Sequence, residues 1–275
     1  MSFHPVTSRE YKLMLQPALF AGDEKALLDG ARAFWNEYVT LLDGLVLEEK
    51  GTLETVRRRR DIRFFDTADH RLNNADYAFR VRRDRGGERD GRREATLKFR
   101  HQDRYVARGR DLKPVAGAHS ETKFEEDIKP PFLKLFSYST KQRIGDKDTF
   151  GTLGDVAGIF PGLEDDLDRY DAGEELMVVG DFAAHEIVIG GGELQLGRDK
   201  GEEAECALVL WYAEDAENPA VAEFSYKYAD EDEDYGRKVA ARAFDAFKEV
   251  QTMDQWVDPE SLTKTKFVYA QAAER

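Results

Sequence analysis

Residues 61–83, DIRFFDTADHRLNNADYAFRVRR, form the stretch that decides the fold. The end of this stretch alternates with a period of two, so that in an extended strand Tyr77 and Phe79 share one face. Arg80 and Arg82 then share the opposite face. The residues between the two halves of the stretch are polar and favour turns. The stretch therefore predicts two β-strands, the second with an Arg-x-Arg pair on one face.

The same alternation recurs along much of the chain. Further strands are predicted at 8–15, 94–100, 121–128, 136–144, 186–189, 193–196, 205–212 and 221–228, with a short closing strand at 265–269. Apolar residues at steps of three and four predict helices at 23–46, with Asp23 as its N-cap, and at 236–253. Segment 53–60, which ends in arginines, is best interpreted as a solvated basic face.

The composition favours a globular protein with one large domain, residues 1–275. The chain has 275 residues, 41% of them hydrophobic and 35% charged. No apolar run approaches the roughly 20 residues that a membrane helix needs. The first residues lack the apolar core of a signal peptide. Cys206 is the one cysteine, so an internal disulfide is excluded, and the five histidines lack the spacing of a zinc site. We therefore expect a cytoplasmic protein that does not bind membranes.

The formal net charge of −14 indicates which classes of ligand the protein is expected to bind. A protein that binds nucleic acid normally has a basic surface that attracts phosphates, so we expect no nucleic-acid partner. A local cluster of cations in an acidic chain can still bind a compact anion. The expected partner is therefore a small phosphorylated molecule.

Charged residues occupy one face of six of the predicted strands. They are Glu10, Lys12, Arg80, Arg82, Lys98, Arg100, Glu121, Lys123, Glu125, Asp127, Lys141, Arg143, Glu223 and Lys227. An open sheet would display these side chains to water, whereas a closed barrel would turn them inward and leave the apolar faces to be covered by helices. Buried charges need compensation, so interleaved acids and bases inside a barrel predict a site for phosphate and metal.

In this pattern of charged strands, the sequence resembles the CYTH domain proteins, also called triphosphate tunnel metalloenzymes. The segments that carry the resemblance are Glu10-x-Lys12, Phe64-Phe65-Asp66-Thr67, Arg80-x-Arg82, Thr96-Leu97-Lys98, Lys123-x-Glu125-x-Asp127, Arg143 and Glu223. They occur in the family's order and cover most of the chain. The helical segment 23–46 and the loop after Arg100 are expected elaborations.

The resemblance implies an α+β fold, a closed eight-stranded antiparallel β-barrel with flanking helices. It also implies residue roles. The cations expected to bind phosphate are Lys12, Arg80, Arg82, Lys98, Lys123 and Arg143, with Lys12 also the candidate catalytic residue. The oxygen ligands expected to hold Mg²⁺ or Mn²⁺ are Glu10, Glu125, Asp127 and Glu223.

The chain departs from the family pattern at two positions. Ser8 stands where the family has its first glutamate, and Ser225 stands where further acids are usual before the last helix. Each serine removes one possible oxygen ligand for a cation. Lys227 could in addition pair with Glu223 and take the place of a metal ion.

Three functions remain open at this point. The first is a metal-dependent phosphohydrolase that acts on a triphosphate compound: inorganic tripolyphosphate, a nucleoside triphosphate or thiamine triphosphate. The second is a non-catalytic module of the same fold that binds polyphosphate or another organic anion. The third is a barrel whose internal ion pairs serve only its structure. A homodimer is compatible with each of them.

Overall fold

The structure of the protein is a computed structural model that describes residues 5–199, 201–213 and 216–273. The strands are β1 (Ser8–Leu15), β2 (Glu48–Lys50), β3 (Thr55–Asp66), β4 (Tyr77–Asp84), β5 (Arg93–His101), β6 (Ser120–Lys129), β7 (Leu133–Ile144), β8 (Met177–Gln195), β9 (Glu203–Tyr212) and β10 (Val221–Ala229). The α-helices are α1 (Glu24–Leu41), α2 (Arg71–Asn74), α3 (Arg104–Arg108), α4 (Leu153–Ala157), α5 (Leu163–Asp166), α6 (Arg237–Val250) and α7 (Lys264–Ala273). None of the described helices has both the length and the apolar character needed to cross a membrane.

The strands form a closed sheet. Their order is β2-β8-β3-β4-β5-β7-β6-β1-β10-β9, and β8 also pairs with β9. The second pairing closes nine strands into a barrel and leaves β2 outside. The prediction of a closed barrel with helices is confirmed, but the prediction of eight antiparallel strands is wrong. The barrel is mixed, because strand directions cannot alternate all the way round a ring with an odd number of members.

The described chain divides into two compact units. Unit 1 contains the residues up to Arg59, together with 126–134 and 185–264, and unit 2 contains 60–125, 135–184 and the residues from Thr265. The expectation of one domain over 1–275 stays a prediction. In the following, the two units are described separately.

In unit 1, two helices pack on the apolar face of β1 and β10. The ring centre of Phe34 on α1 lies 4.9 Å from that of Phe224 on β10, and Tyr11 on β1 lies 5.1 Å from Phe247 on α6. The helix at 23–46 begins as predicted, since the Asp23 side chain accepts a hydrogen bond from the backbone N–H of the first turn. The helix at 236–253 is confirmed as α6. The helices cover this apolar face. Since successive side chains of a strand point to opposite faces, the charged residues of β1 and β10 lie on the other face.

In unit 2, the buried carboxylate of Asp66 stabilises the connection between β3 and β4. Asp66 accepts hydrogen bonds from the backbone N–H groups of Thr67, Leu72 and Asn73 at 2.8, 2.8 and 3.0 Å. The hydroxyl of Tyr269 donates a further bond at 2.7 Å. Asp66 thereby fixes the polar connection that leads from β3 into β4, and it orients the strand that carries Arg80 and Arg82.

Three local predictions differ from the structure. The short closing strand at 265–269 is wrong, since these residues lie in helix α7. A pattern of five residues is too short to distinguish a strand from a helical turn. The strands predicted at 186–189 and 193–196 are parts of the single strand β8, which is irregular between Gly190 and Glu193. Within segment 53–60, strand β3 begins at Thr55, and Arg57 and Arg58 are exposed as expected for a solvated face.

Candidate functional site

Unit 2 places Arg80, Thr96 and Lys141 side by side across three strands. Arg80 of β4 lies directly opposite Thr96 of β5, and Thr96 lies directly opposite Lys141 of β7. Residues that pair directly across a sheet project from the same face. The three side chains therefore form one row, with one cation on each side of a hydroxyl.

Neighbouring rows of the same face add further charged residues. Arg82 lies opposite Glu94, and Glu94 lies opposite Arg143. On the other side of the first row, Lys98 lies opposite Ser139. Because Arg80 and Arg82 are two residues apart on a strand, their Cα atoms are about 7 Å apart. The arginines thus lie next to each other along one face.

Strand β6 extends this face with Lys123 and Glu121. The carboxylate of Glu121 accepts from Lys123 Nζ at 2.8 Å and from Lys141 Nζ at 2.9 Å. A second acid, Glu125, lies 4.0 Å from Lys98. We call this set the cationic face of unit 2, defined by Arg80, Arg82, Lys98, Lys123, Lys141 and Arg143.

The pKa shifts on this face reflect burial and crowded positive charge. Burial raises the pKa of Glu121, but hydrogen bonds and charge from Lys123 and Lys141 outweigh it and lower that pKa to about 2. Burial lowers the pKa of Lys141, and the neighbouring charges of Lys123 and Arg82 lower it further. The bond to Glu121 opposes this shift without cancelling it. Glu121 therefore compensates its lysines only in part.

Thr96 adds a buried hydroxyl that no group in the described part of the chain satisfies. The residue is 1% exposed, and its Oγ1 has no hydrogen-bond partner among the described residues. An unsatisfied buried hydroxyl costs roughly 1–3 kcal/mol. Its position between Arg80 and Lys141 makes the hydroxyl available to a ligand that the two cations attract.

Unit 1 has a different arrangement, in which acids surround a lysine. Lys12 Nζ lies 2.8 Å from the carboxylate of Glu10 and 3.0 Å from that of Asp127. Burial lowers the pKa of Lys12, but the charges of Asp127, Glu10 and Glu223 outweigh burial and raise it above its ordinary value. Ser225 lies directly opposite Lys12 in the sheet and adds no charge.

A second lysine contacts the remaining acid of unit 1. Lys264 Nζ lies 2.8 Å from Glu223 Oε1, and it also lies 5.8 Å from the ring centre of Trp211. Glu223 therefore has Lys264 as an ion-pair partner, and the expected pairing of Glu223 with Lys227 stays a prediction. We call Glu10, Asp127, Glu223, Lys12 and Lys264 together the carboxylate–lysine cluster of unit 1.

The carboxylates predicted to hold Mg²⁺ or Mn²⁺ do not fit a divalent cation as they are placed. In unit 1 each of them bonds to Lys12 or Lys264, and in unit 2 Glu125 lies beside Lys98. Within residues 5–199, 201–213 and 216–273, no group of three or more His, Cys, Asp or Glu side chains is arranged to hold a metal ion. The donor oxygens are engaged by ammonium groups instead.

The structure brings together most of the cations that the sequence singled out. Unit 2 assembles Arg80, Arg82, Lys98, Lys123 and Arg143, whereas Lys12 lies in unit 1 with its acids. Lys141 was recognised only as a charged residue on a strand face, although its alternation with Arg143 gave the signal. The sequence analysis does not single out Lys264, which directly precedes the segment 265–269 that is predicted as a strand. The catalytic role of Lys12 stays a prediction.

Known proteins resemble this chain in structure at low identity. No family model and no curated protein matches its sequence. A candidate adenylyl cyclase from Hippeastrum, described as having a dominant triphosphatase activity, is 14% identical with a TM-score of 0.46, covering 96% of this chain and 95% of its own. A candidate adenylate cyclase from Bacillus halodurans is 12% identical with a TM-score of 0.41, covering 95% and 98%. One from Vibrio parahaemolyticus is 9% identical with a TM-score of 0.39, covering 97% and 99%.

Proposed function

We propose that the cationic face of unit 2 binds a small polyanion of the triphosphate class. The observation that carries this proposal is the row formed by Arg80, Thr96 and Lys141, in which two cations flank a buried hydroxyl that has no hydrogen-bond partner within 5–199, 201–213 and 216–273. Guanidinium groups donate paired hydrogen bonds to phosphate oxygens, and a lysine adds a point charge. An anion at this row would supply acceptors for all three groups.

The extent of the face favours a ligand with several negative charges. Its cations lie on β4, β5, β6 and β7, and neighbouring strands are about 4.8 Å apart. Arg80 and Arg82 extend it by about 7 Å along the strand direction. A single carboxylate or phosphate cannot reach cations that are spread this far. A chain of phosphates can, and its negative charge would offset the repulsion from Lys123 and Arg82, which adds to burial in lowering the pKa of Lys141.

Binding without turnover agrees better with the carboxylates than metal-dependent hydrolysis does. Hydrolysis of a phosphoanhydride by a divalent cation requires carboxylate oxygens that are free to ligate the ion. Lys12 and Lys264 engage those oxygens in unit 1. We therefore place anion binding first and metal-dependent triphosphate hydrolysis, with its substrate among tripolyphosphate, ATP and thiamine triphosphate, second.

Calorimetric titration with tripolyphosphate in the presence of a chelator tests this function. We expect binding in the chelator, accompanied by a higher melting temperature, because a ligand that binds only the folded state stabilises it. At a hundredfold excess over Kd the stabilisation is about 2.7 kcal/mol. Absence of binding both in the chelator and with Mg²⁺ or Mn²⁺ would refute the proposal. Release of phosphate that requires either metal would instead favour the hydrolase.

A further inference from the structure

The carboxylate–lysine cluster of unit 1 is buried and closely paired. The side chains of Asp127 and Glu223 are 2% and 7% exposed, and those of Lys12 and Lys264 are 15% and 21% exposed. The contacts from these ammonium groups are 2.8–3.0 Å long, which is the range of charge-assisted hydrogen bonds. The cluster is therefore a built ion-pair site rather than a solvated surface.

Its two lysines come from different parts of the chain. Lys12 lies on β1 and contacts Glu10 and Asp127, while Lys264 is the first residue of α7 and contacts Glu223. Lys264 also lies over the ring of Trp211, whose Nε1 donates to the buried carboxylate of Glu186 at 2.8 Å. The ring contact and the ion pair together fix the position of the ammonium group.

We infer that Lys264 is a resident counter-ion that keeps divalent cations away from Glu223, so that the native cluster binds no Mg²⁺ or Mn²⁺. A hard divalent cation needs several oxygen ligands at short distance, and an ammonium at 2.8 Å from Glu223 prevents the approach of such an ion. Removal of the Lys264 charge takes one positive charge away from a cluster that contains the three carboxylates Glu10, Asp127 and Glu223. Such an excess of buried negative charge attracts a cation.

A titration with Mn²⁺ alone tests this inference without any phosphate ligand. In Lys264→Gln, we expect Mn²⁺ to bind at least tenfold more tightly than in the native protein, measured by the loss of the free Mn²⁺ signal in electron paramagnetic resonance. Lys266→Gln is the matched control, since Lys266 is exposed on the same helix, and it should behave as the native protein does. The double variant Glu223→Gln/Lys264→Gln should not show the increased Mn²⁺ affinity that is expected for Lys264→Gln.

Two results would overturn the inference. The first is a folded Lys264→Gln protein, verified by circular dichroism, that binds Mn²⁺ no better than the native chain. The second is that the native protein binds Mn²⁺ with a submicromolar Kd and that Glu223→Gln abolishes this binding. This measurement tests the inference even if Lys264→Gln fails to fold. Because no triphosphate is added, failure of the proposed anion binding leaves this test unaffected.

Discussion

Thr96 lies directly opposite Arg80 in the sheet, and its hydroxyl is buried without a partner among the described residues. In Thr96→Val, we expect no loss of stability, because the substitution removes a polar group that the folded protein leaves unsatisfied. The affinity for tripolyphosphate should fall roughly tenfold, the effect of one hydrogen bond to a charged group. Chemical denaturation and calorimetry measure the two quantities.

Thr140 provides the matched control for Thr96. Its Oγ1 lies 2.8 Å from that of Thr122, so Thr140→Val loses an existing hydrogen bond. This variant should lose about 1 kcal/mol of stability and keep its affinity. If Thr96→Val were destabilised as much as Thr140→Val and kept full affinity, the hydroxyl of Thr96 would have a structural role only.

Arg80→Ala and Arg82→Ala should each weaken binding of tripolyphosphate while the fold is retained. A charge-assisted hydrogen bond contributes roughly 1.5–3 kcal/mol, so we expect a loss of about tenfold to a hundredfold in affinity. Arg83→Ala is the control, because Arg83 is exposed and projects from the opposite face of the same strand. Equal affinities in all three variants would assign the arginines to structure instead.

Glu121 should make a pH-dependent contribution to stability. Its pKa falls from an ordinary value of 4.5 to about 2 in the folded chain. The unfolded chain therefore takes up this proton first as the pH falls, and the contribution is complete above pH 4.5 and lost towards pH 2. Glu121→Gln should be less stable than the native protein at pH 7, and the difference should shrink in that window.

Urea denaturation at several pH values between 7 and 2 measures this difference. Glu88→Gln is a suitable control, since Glu88 is exposed in the loop after β4 and should show no such difference. A gap between the native protein and Glu121→Gln that stayed constant down to pH 2 would contradict the assigned shift.

Gly51 and the irregular part of β8 should be sensitive to a single added carbon. A Cβ on Gly51 would lie 2.0 Å from the carbonyl oxygen of Gly191, and the φ of Gly51 is +64°. Gly44 has a φ of +74° with open space around it. Gly44→Ala should therefore cost about 1–2 kcal/mol from backbone strain alone.

Gly51→Ala should cost a further 1–3 kcal/mol or so, because the neighbouring backbone has to move. The difference between the two glycine variants in urea denaturation isolates the steric part. Equal costs would show that the contact with Gly191 relaxes freely.

The strands and the two long helices could be predicted because their patterns are local. Alternation along β1, β4, β5 and β6 is a property of consecutive residues, and so is the N-cap at Asp23. The Arg80–Arg82 pair follows from the same alternation. These parts of the cationic face were therefore visible in the sequence.

The parts that could not be predicted depend on distant residues. No local pattern links Lys264 to Glu223, which are far apart in the sequence, and the short run after Lys264 fits either a strand or a helix. The number of strands in the ring depends on which edges meet, here β8 and β9. The lack of a partner for Thr96 likewise depends on its neighbours on β4 and β7.

The cationic face lies within a chain of net charge −14, and this contrast affects the kinetics of binding. At low ionic strength the overall field repels an approaching trianion, whereas salt limits that field to a Debye length of about 8 Å at 0.15 M. Added salt should thus speed association, while it also speeds dissociation by weakening the contacts with Arg80 and Arg82. Salt should therefore raise the association rate of the ligand and shorten its residence time. The acids distributed over the chain control the association rate, whereas the cations that contact the ligand control the residence time.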